Sequence, residues 1–203
     1  MKGWSSHPTF WTHYSLETRA KRNNHRPRRI WFTGLSGAGK STIAKQPEKQ
    51  LFDEARQVVR MDKDNVRYGL NGDLGFSRDK RQENTRRARY PARQLYDFGN
   101  IVLCTFVGPY RKDREYVRSL FPEGDFVEVY VDIILGEARR RDPKRLYANL
   151  DAGDISGFTA VDEPFEASDS PELRIDTGSE TVELAVKRIY RHITIAIGTK
   201  TGK

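Results

Sequence analysis

The sequence predicts an α/β fold, in which helices cover both faces of a mainly parallel sheet. Short segments rich in Val, Ile and aromatic residues alternate with longer segments of helical periodicity, which is the pattern of repeated strand–helix–strand units. Residues 101–107 form an uncharged apolar run, typical of a strand that is buried on both faces. A glycine-rich turn at residues 34–40 separates the first strand from the first long helix.

The remaining elements follow in order from the same patterns. We expect strands at residues 28–33, 57–61, 101–107, 126–131 and 173–175, and helices at residues 41–55, 79–97, 113–120, 135–141 and 181–196. Gly99 is the stop signal of the helix that precedes it. The first 25 residues and the last six show no such periodicity, so we expect them to be irregular.

Two of the predicted helices contain a proline, Pro47 in the first and Pro91 in the second. A proline inside a helix removes a backbone donor and clashes with the preceding turn, at a cost of about 3 kcal/mol. We therefore expect each of these helices to bend.

The length of 203 residues suits a single domain. We assign residues 1–25 to an N-terminal extension, residues 26–198 to the domain and residues 199–203 to a tail. Residues 142–171 are polar and rich in glycine and proline, so we expect a mobile lid there.

Composition excludes several classes of protein. No apolar stretch approaches the roughly 20 residues that a membrane span needs, and the single cysteine, Cys104, rules out an intrachain disulfide. These features predict a cytoplasmic protein without a membrane partner. The net charge of +8 favours anionic partners, but no recognition helix or RNA-binding signature indicates a specific nucleic acid.

The glycine-rich turn carries the most specific motif of the chain. Residues 34–41 match the phosphate-binding pattern G-x-x-x-x-G-K-[ST] and lie between a strand and a helix, which is the context this motif requires. Glycines let backbone amides converge on phosphate oxygens at a helix N-terminus. We therefore predict a three-layer P-loop NTPase fold, since a merely flexible turn rich in glycine and serine is the weaker alternative. The ATP contacts are assigned to Gly34, Leu35, Ser36, Gly37, Ala38, Gly39, Lys40, Ser41 and Thr42.

Two carboxylates follow the second predicted strand, at Asp62 and Asp64. Parallel sheets place their ligands at the carboxyl ends of strands, where one carboxylate can orient an attacking hydroxyl and another can help to hold Mg²⁺, with Ser41 as a direct ligand. The alternative interpretation is a turn in which an Asp caps a short helix. The chain has no N-K-x-D guanine signature, and its small size favours a small-molecule kinase.

Seven blocks, in order along the chain, resemble the adenylylsulfate kinase family. They are residues 34–42 (GLSGAGKST), 62–71 (DKDNVRYGLN), 73–77 (DLGFS), 81–87 (RQENTRR), 109–111 (PYR), 141–144 (RDPK) and 157–159 (GFT). Residues 4–7 and His25 also resemble the leader of the bacterial members.

The resemblance implies transfer of the ATP γ-phosphoryl group to the 3′-hydroxyl of adenosine 5′-phosphosulfate (APS), giving PAPS and ADP in sulfate assimilation. Lys40, Asp64 and Lys144 would be catalytic, Arg141 would lie near the ATP adenine, and Asp62 would hold Mg²⁺, directly or through water. The APS contacts would be Asp64, Arg67, Phe76, Arg81, Asn84, Val107, Lys144, Phe158 and Thr159, with the two phenylalanines on the adenine. The family also implies a homodimer and leaves open an association with ATP sulfurylase.

The chain departs from the family at several positions. Lys63 and Arg145 stand where the family usually has Gly, Gly108 stands where it often has Ser, and Lys80 replaces an acidic residue. The lysine-rich stretch of the lid is replaced at residues 148–151. These changes keep a catalytically weak nucleotide-binding homologue, or a related small-molecule kinase, as the alternative function, and the basic surface leaves a nucleic-acid binder as a third.

Overall fold

The computed structural model describes residues 13–75, 77–154 and 157–198. Its sheet is parallel throughout, with strand order β2-β3-β1-β4-β5. The strands are β1 (Arg28–Thr33), β2 (Val58–Asp62), β3 (Ile101–Thr105), β4 (Phe126–Asp132) and β5 (Leu173–Asp176). All five predicted strands are thereby confirmed to within two residues at either end.

Helices cover both faces of the sheet, which confirms the three-layer α/β architecture. They are α1 (Leu16–Asn23), α2 (Lys40–Asp53), α3 (Lys63–Tyr68), α4 (Arg78–Asp97), α5 (Arg111–Arg118), α6 (Leu135–Arg141), α7 (Leu146–Asp151) and α8 (Val182–Ile197). Helices α2 and α8 pack together on one face, and α4 and α5 pack together on the other. Within the described residues, no helix combines the length and the apolar character that crossing a bilayer requires.

Strand β1 lies at the centre of the sheet and is buried along its whole length. Ile30 and Phe32 belong to the apolar core under α2 and α8, whereas Trp31 belongs to the core under α4. Successive side chains of a strand point to opposite faces, so this single strand joins the two cores. The ring of Trp31 stacks on that of Phe106 at 5.0 Å.

Two short helices, α1 and α7, were not predicted, and α3 entered only as the alternative interpretation of the turn after β2. Residues 16–23 form α1, so the expectation of an irregular chain up to residue 25 is wrong there; this helix has no buried residue, and hydrophobic periodicity could not reveal it. Its Ser15 Oγ instead accepts a hydrogen bond from Thr18 N, which caps the helix. Helices α3 and α7 are six residues each, too short for a periodic signal.

Helices α2 and α4 continue past their prolines. Pro47 lies within α2 and Pro91 within α4. Since proline has no amide hydrogen, each helix lacks one backbone hydrogen bond at that turn. The bend that we expect at each proline remains a prediction.

The predicted lid is more ordered than a bare loop. It contains α7, and its C-terminal part is bonded to the body of the domain: Glu166 N donates to Pro109 O (2.9 Å), and Arg114 Nη2 donates to Glu166 O (2.8 Å). Arg118 forms an ion pair with Glu172 at the end of the segment. The mobility of the lid remains a prediction, and these contacts favour its N-terminal part as the moving portion.

Arg29 is a fully buried cation inside the core under α4. Its guanidinium lies over the rings of Trp31 and Phe121, at 4.7 and 4.9 Å from their centroids. Among the described residues, none of its three nitrogen atoms has an oxygen or nitrogen hydrogen-bond partner, and the polar group beside it is the Cys104 thiol. Burial lowers the pKa of this guanidinium, as expected when a charge is removed from water without an anion beside it.

We expect Arg29→Met to stabilise the protein. An apolar side chain of similar volume removes the desolvation cost, and replacing buried charges in this way commonly gives about 1–4 kcal/mol. The thermal unfolding midpoint should rise by ~2–4 °C for each kcal/mol gained. Arg28→Met is the control, because it breaks the ion pair with Asp125 and should lower the midpoint. If Arg29→Met lowered it equally, the contacts between cation and rings would outweigh the desolvation cost.

Position 34 requires a glycine because β4 passes close to its backbone. Its φ is +144°, and a Cβ built there would lie 2.2 Å from Val131 O. Gly34→Ala should therefore cost about 1–3 kcal/mol, the usual range for overpacking, and lower the thermal unfolding midpoint by several degrees. Gly136→Ala is the matched control, because a Cβ at that position of α6 meets no atom within 4 Å. Equal midpoints for the two variants would contradict the proposed contact.

Candidate active site

The glycine-rich turn links β1 to α2 at the carboxyl edge of the sheet. Thr33 Oγ1 donates to Val107 O (2.6 Å), and Gly34 N donates to the same carbonyl (3.3 Å). Helix α2 then begins at Lys40, with Gly39 as its N-cap at φ +90°. The strand–turn–helix context predicted for the phosphate-binding motif is therefore present.

Lys40 is a buried cation held by carbonyl oxygens. Its Nζ donates to Gly34 O (2.8 Å) and Leu35 O (2.7 Å), and the residue is only 9% exposed. Burial, together with repulsion from Lys63 and Lys144, lowers the pKa of Lys40 to about 7. A polyphosphate in the turn would offset both effects, because it supplies the negative charge that the site lacks.

Asp62 lies at the end of β2, in register with Thr105 at the end of β3. It accepts hydrogen bonds from Thr105 Oγ1 (2.8 Å), Asp64 N (3.0 Å) and Arg60 Nη1 (3.0 Å), and the Ser41 hydroxyl also donates to it. Burial alone would raise the pKa of Asp62, but these donors outweigh it and hold the pKa below its usual value. Asp62 caps α3 and also faces the phosphate turn, so both interpretations of this residue apply.

The pairing of Asp62 with Ser41 suits a magnesium ion. A hydroxyl and a carboxylate oxygen are adjacent at the start of α2, and both are hard oxygen ligands of the kind Mg²⁺ prefers. No group of three or more His, Cys, Asp or Glu side chains with metal-binding geometry occurs among the described residues. One protein carboxylate nevertheless suffices where phosphates and water complete the coordination shell, as is usual for Mg²⁺.

Asp64 and Lys144 form an ion pair although they are 80 residues apart. Asp64 is in the first turn of α3, and Lys144 lies in the turn between α6 and α7. The side chains of both residues are about half exposed. The structure thus brings together two of the three residues predicted to be catalytic, at the mouth of the cavity that contains the third, Lys40.

A cavity of about 510 Å³ joins these groups. It is lined by residues of the phosphate turn and α2, of the segment that follows β2, of the turn after α6, and of the segment that follows β5: Ser36, Gly37, Gly39, Lys40, Ser41, Thr42, Asp62, Lys63, Asp64, Thr105, Val107, Arg141, Lys144, Thr177, Val182 and Ala185, among others. Of the predicted turn residues, Gly34, Leu35 and Ala38 shape the backbone without lining the cavity.

Arg141 lines the cavity from the end of α6 and is bonded to the segment that follows β5. Its Nη2 donates to Thr177 O (2.6 Å), and its Nε pairs with Glu137 (2.9 Å). Thr177 Oγ1 donates in turn to Ala38 O (3.0 Å), which ties the segment after β5 to the phosphate turn. The apolar side chains of Val182 and Ala185 line the same cavity, and an apolar surface suits a flat base.

Sequence reasoning missed two threonines that position this site, Thr105 and Thr177. Thr105 orients Asp62, and Thr177 orients Arg141. Both lie at the carboxyl ends of parallel strands, where ligand sites are expected. Their places at the ends of predicted strands could have identified both threonines as candidate site residues.

Of the described residues predicted to hold the acceptor, Asp64, Val107 and Lys144 line this cavity, and Arg67, Arg81, Asn84, Phe158 and Thr159 do not. Arg67 Nη1 donates to Leu74 O (2.7 Å), and Arg81 Nη2 donates to Gly157 O. Phe76 lies outside the described residues.

Two of these acceptor residues have buried polar atoms without a partner. Asn84 and Thr159 are 6% and 4% exposed. In the described part of the chain, neither Asn84 Nδ2 nor Thr159 Oγ1 makes a hydrogen bond. Buried polar groups are nearly always satisfied, so both atoms are suited to receive a polar ligand.

Phe158 is a core residue in this conformation. It is 3% exposed, and its ring packs edge-on against that of Tyr147 at 4.9 Å. A contact between Phe158 and an adenine would require residues 157–159 to move away from the core. Its predicted role on the acceptor base remains a prediction.

Arg145, where the family usually has Gly, has a left-handed backbone with φ +54°. This conformation costs nothing for Gly but is unfavourable for a residue with a Cβ. The structure therefore supplies a physical reason for glycine at this position, directly after Lys144 and at the start of α7.

Comparisons with known proteins agree with this geometry. The family model described as adenylylsulphate kinase matches residues 26–176. The adenylyl-sulfate kinase of Staphylococcus epidermidis is 45% identical over 175 residues, which cover 86% of this chain and 88% of that protein. The bifunctional enzyme NodQ of Azospirillum brasilense is 50% identical over 175 residues, but this chain spans only 28% of its length.

A solved structure extends the likeness to the fold. The Mycobacterium tuberculosis APS kinase, in complex with AMPPNP and APS, superposes with a TM-score of 0.78 at 37% identity. The match covers 82% of this chain and 97% of that one. With the phosphate turn, the Asp64–Lys144 pair and these matches together, the chain belongs to the adenylylsulphate kinase family and is an ATP-dependent kinase that acts on a hydroxyl group.

Proposed function

We propose that this site transfers the γ-phosphoryl group of Mg-ATP to the 3′-hydroxyl of APS, giving PAPS and ADP. The observation that carries the proposal is the meeting of the Asp64–Lys144 ion pair with Lys40 and the phosphate turn at one cavity. Phosphoryl transfer depends mainly on positioning and on stabilising charge. Asp64 would position the acceptor hydroxyl, and Lys40 and Lys144 would stabilise charge on the phosphoryl group.

The donor half of the cavity fits a nucleoside triphosphate. Amides of the turn and the Lys40 ammonium would bind the β- and γ-phosphates, while the base would lie between Arg141 and the apolar surface at Val182. Ser41 and Asp62 would hold Mg²⁺, directly or through water. When bound, the ion neutralises charge on the phosphates.

Asp64 would accept a hydrogen bond from the attacking hydroxyl and orient it toward the phosphoryl group. Its ion pair with Lys144 holds the carboxylate at the cavity, where it can act on the acceptor hydroxyl. Lys144 would then move part of its contact from Asp64 to the phosphoryl group that is being transferred. One lysine would thus contact both the carboxylate and the phosphoryl group. Arg67, Arg81, Asn84 and Thr159 would complete the acceptor site, since cationic forks and buried donors suit phosphate and sulfate.

The proposal extends to the oligomeric state, the cellular location and a protein partner of the enzyme. A homodimer in the cytoplasm follows from the family resemblance, and the buried single cysteine fits a reducing compartment. Association with ATP sulfurylase is a further part of the proposal. The size of the purified protein in solution tests the dimer, and co-purification with the sulfurylase tests the association.

Purified protein incubated with Mg-ATP and APS should produce PAPS, which chromatography quantifies. Lys40→Ala should lower turnover by about 10²–10³-fold or more, the usual effect of removing a charge-stabilising donor. Lys45→Ala is the matched control, because Lys45 is exposed on the same helix. ATP binding without any PAPS from the wild-type protein would instead establish the catalytically weak homologue.

Asp64→Asn should lower kcat by about 10²–10⁴-fold, the range of general acid–base catalysis, and leave the thermal unfolding midpoint nearly unchanged. Asp53→Asn is the matched control, because Asp53 also forms an exposed ion pair with a lysine, Lys49, but lies far along α2 from the cavity. Near-normal turnover by a folded Asp64→Asn protein would remove Asp64 from the catalytic set.

A further inference from the structure

Lys63 is a half-buried cation in the wall of the cavity, between Asp62 and Asp64. Neither neighbour is a dedicated counter-ion: Asp62 is bonded to Thr105 and Arg60, and Asp64, which attracts Lys63, is itself paired with Lys144. Among the described residues, the Lys63 ammonium forms no ion pair or hydrogen bond with another side chain. A partly buried charge without a counter-ion is unfavourable unless a ligand supplies one.

Other cations lie close to Lys63. Arg67, Arg81 and Lys144 are close enough to repel its charge, and Asp64 is close enough to attract it. Lys63 and Arg67 are four residues apart on α3, and residues at this spacing share one face of a helix. The cations therefore converge on one region, which an oxyanion of a substrate can occupy.

The position of Lys63 favours the acceptor over the donor. The donor phosphates would be held by Lys40 and the amides of the turn, at the start of α2. Lys63 is close enough to Lys40 to repel it, but it belongs to α3 with Asp64 and Arg67. The charges that act most on Lys63 are those of residues to which the proposed function assigns the acceptor: Asp64, Arg67, Arg81 and Lys144. A lysine is a flexible point charge with three donors, so it can reach an oxyanion without the fixed geometry of an arginine.

We propose that Lys63 is an additional binding residue of this enzyme, contacting an oxyanion of APS and raising affinity for the acceptor. The inference rests on the proposed function, since it takes APS as the acceptor. The glycine usual at this position in the family lacks a side chain to make this contact. The lysine would therefore give this chain tighter acceptor binding than an otherwise equal site with glycine there.

The test is the dissociation constant of APS, measured by calorimetry without donor, for the wild-type protein and for Lys63→Met, Lys63→Gly and Lys63→Arg. Loss of a charge-assisted hydrogen bond should weaken APS binding about tenfold or more in the Met and Gly variants. Lys63→Arg should stay within about threefold of the wild type, because it keeps the charge. Lys187→Met, which removes an exposed charge on α8, should have no effect.

The donor is measured separately with AMPPNP, whose dissociation constant should change less than about twofold in every variant. In steady-state assays, the KM for APS should rise while kcat stays within about threefold. Unchanged APS binding in Lys63→Met, an equal loss in Lys187→Met, or weakening of AMPPNP binding alone would each overturn the inference. PAPS formation by the wild-type protein is an independent readout, so failure of the proposed function is distinguishable from failure of this one.

Discussion

The site depends on the backbone of one turn, which has no room for side chains where it passes β4 and α6. A Cβ at Gly34 would meet Val131 O at 2.2 Å, and one at Gly37 would meet Ala138 O at 2.8 Å. The turn therefore lies close against its neighbours, and α2 begins directly after it, at Lys40. The side chain of Lys40 folds back over the turn, where its ammonium donates to Gly34 O and Leu35 O.

The carboxylates of the cavity are already engaged by other groups. Four cations, Lys40, Lys63, Lys144 and Arg141, and four acids, Asp62, Asp64, Asp142 and Glu180, line it, but Asp64 is paired with Lys144 and Glu180 with Arg188. Asp62 is already occupied by donors from Ser41, Thr105 and the backbone. Cations without free counter-ions are costly in a partly buried site, and substrates that together carry phosphate and sulfate groups would relieve this cost. Substrate binding and stability are therefore expected to be coupled.

The acceptor side is less complete than the donor side. The donor half is an open cavity with its bonding groups in place, whereas Phe158 is packed into the core and Asn84 and Thr159 retain unpartnered polar atoms. Residues 157–159 are bonded to α4 through Arg81, so any motion of this segment alters the acceptor site at once. This contrast agrees with a site that closes on its second substrate.

The order of strands and long helices, the phosphate turn and the family were determined by the sequence itself, because each is a local pattern of periodicity or spacing. Tertiary packing determined the rest. Sheet order placed Lys144 against Asp64, 80 residues away, and buried Phe158 and Arg29 in the two cores. The helices α1 and α7 escaped prediction and α3 was only an alternative, because helices of six to eight residues depend on caps and neighbours rather than on periodicity. Local signals thus identified the chemistry, and long-range contacts determined which side chains could take part in it.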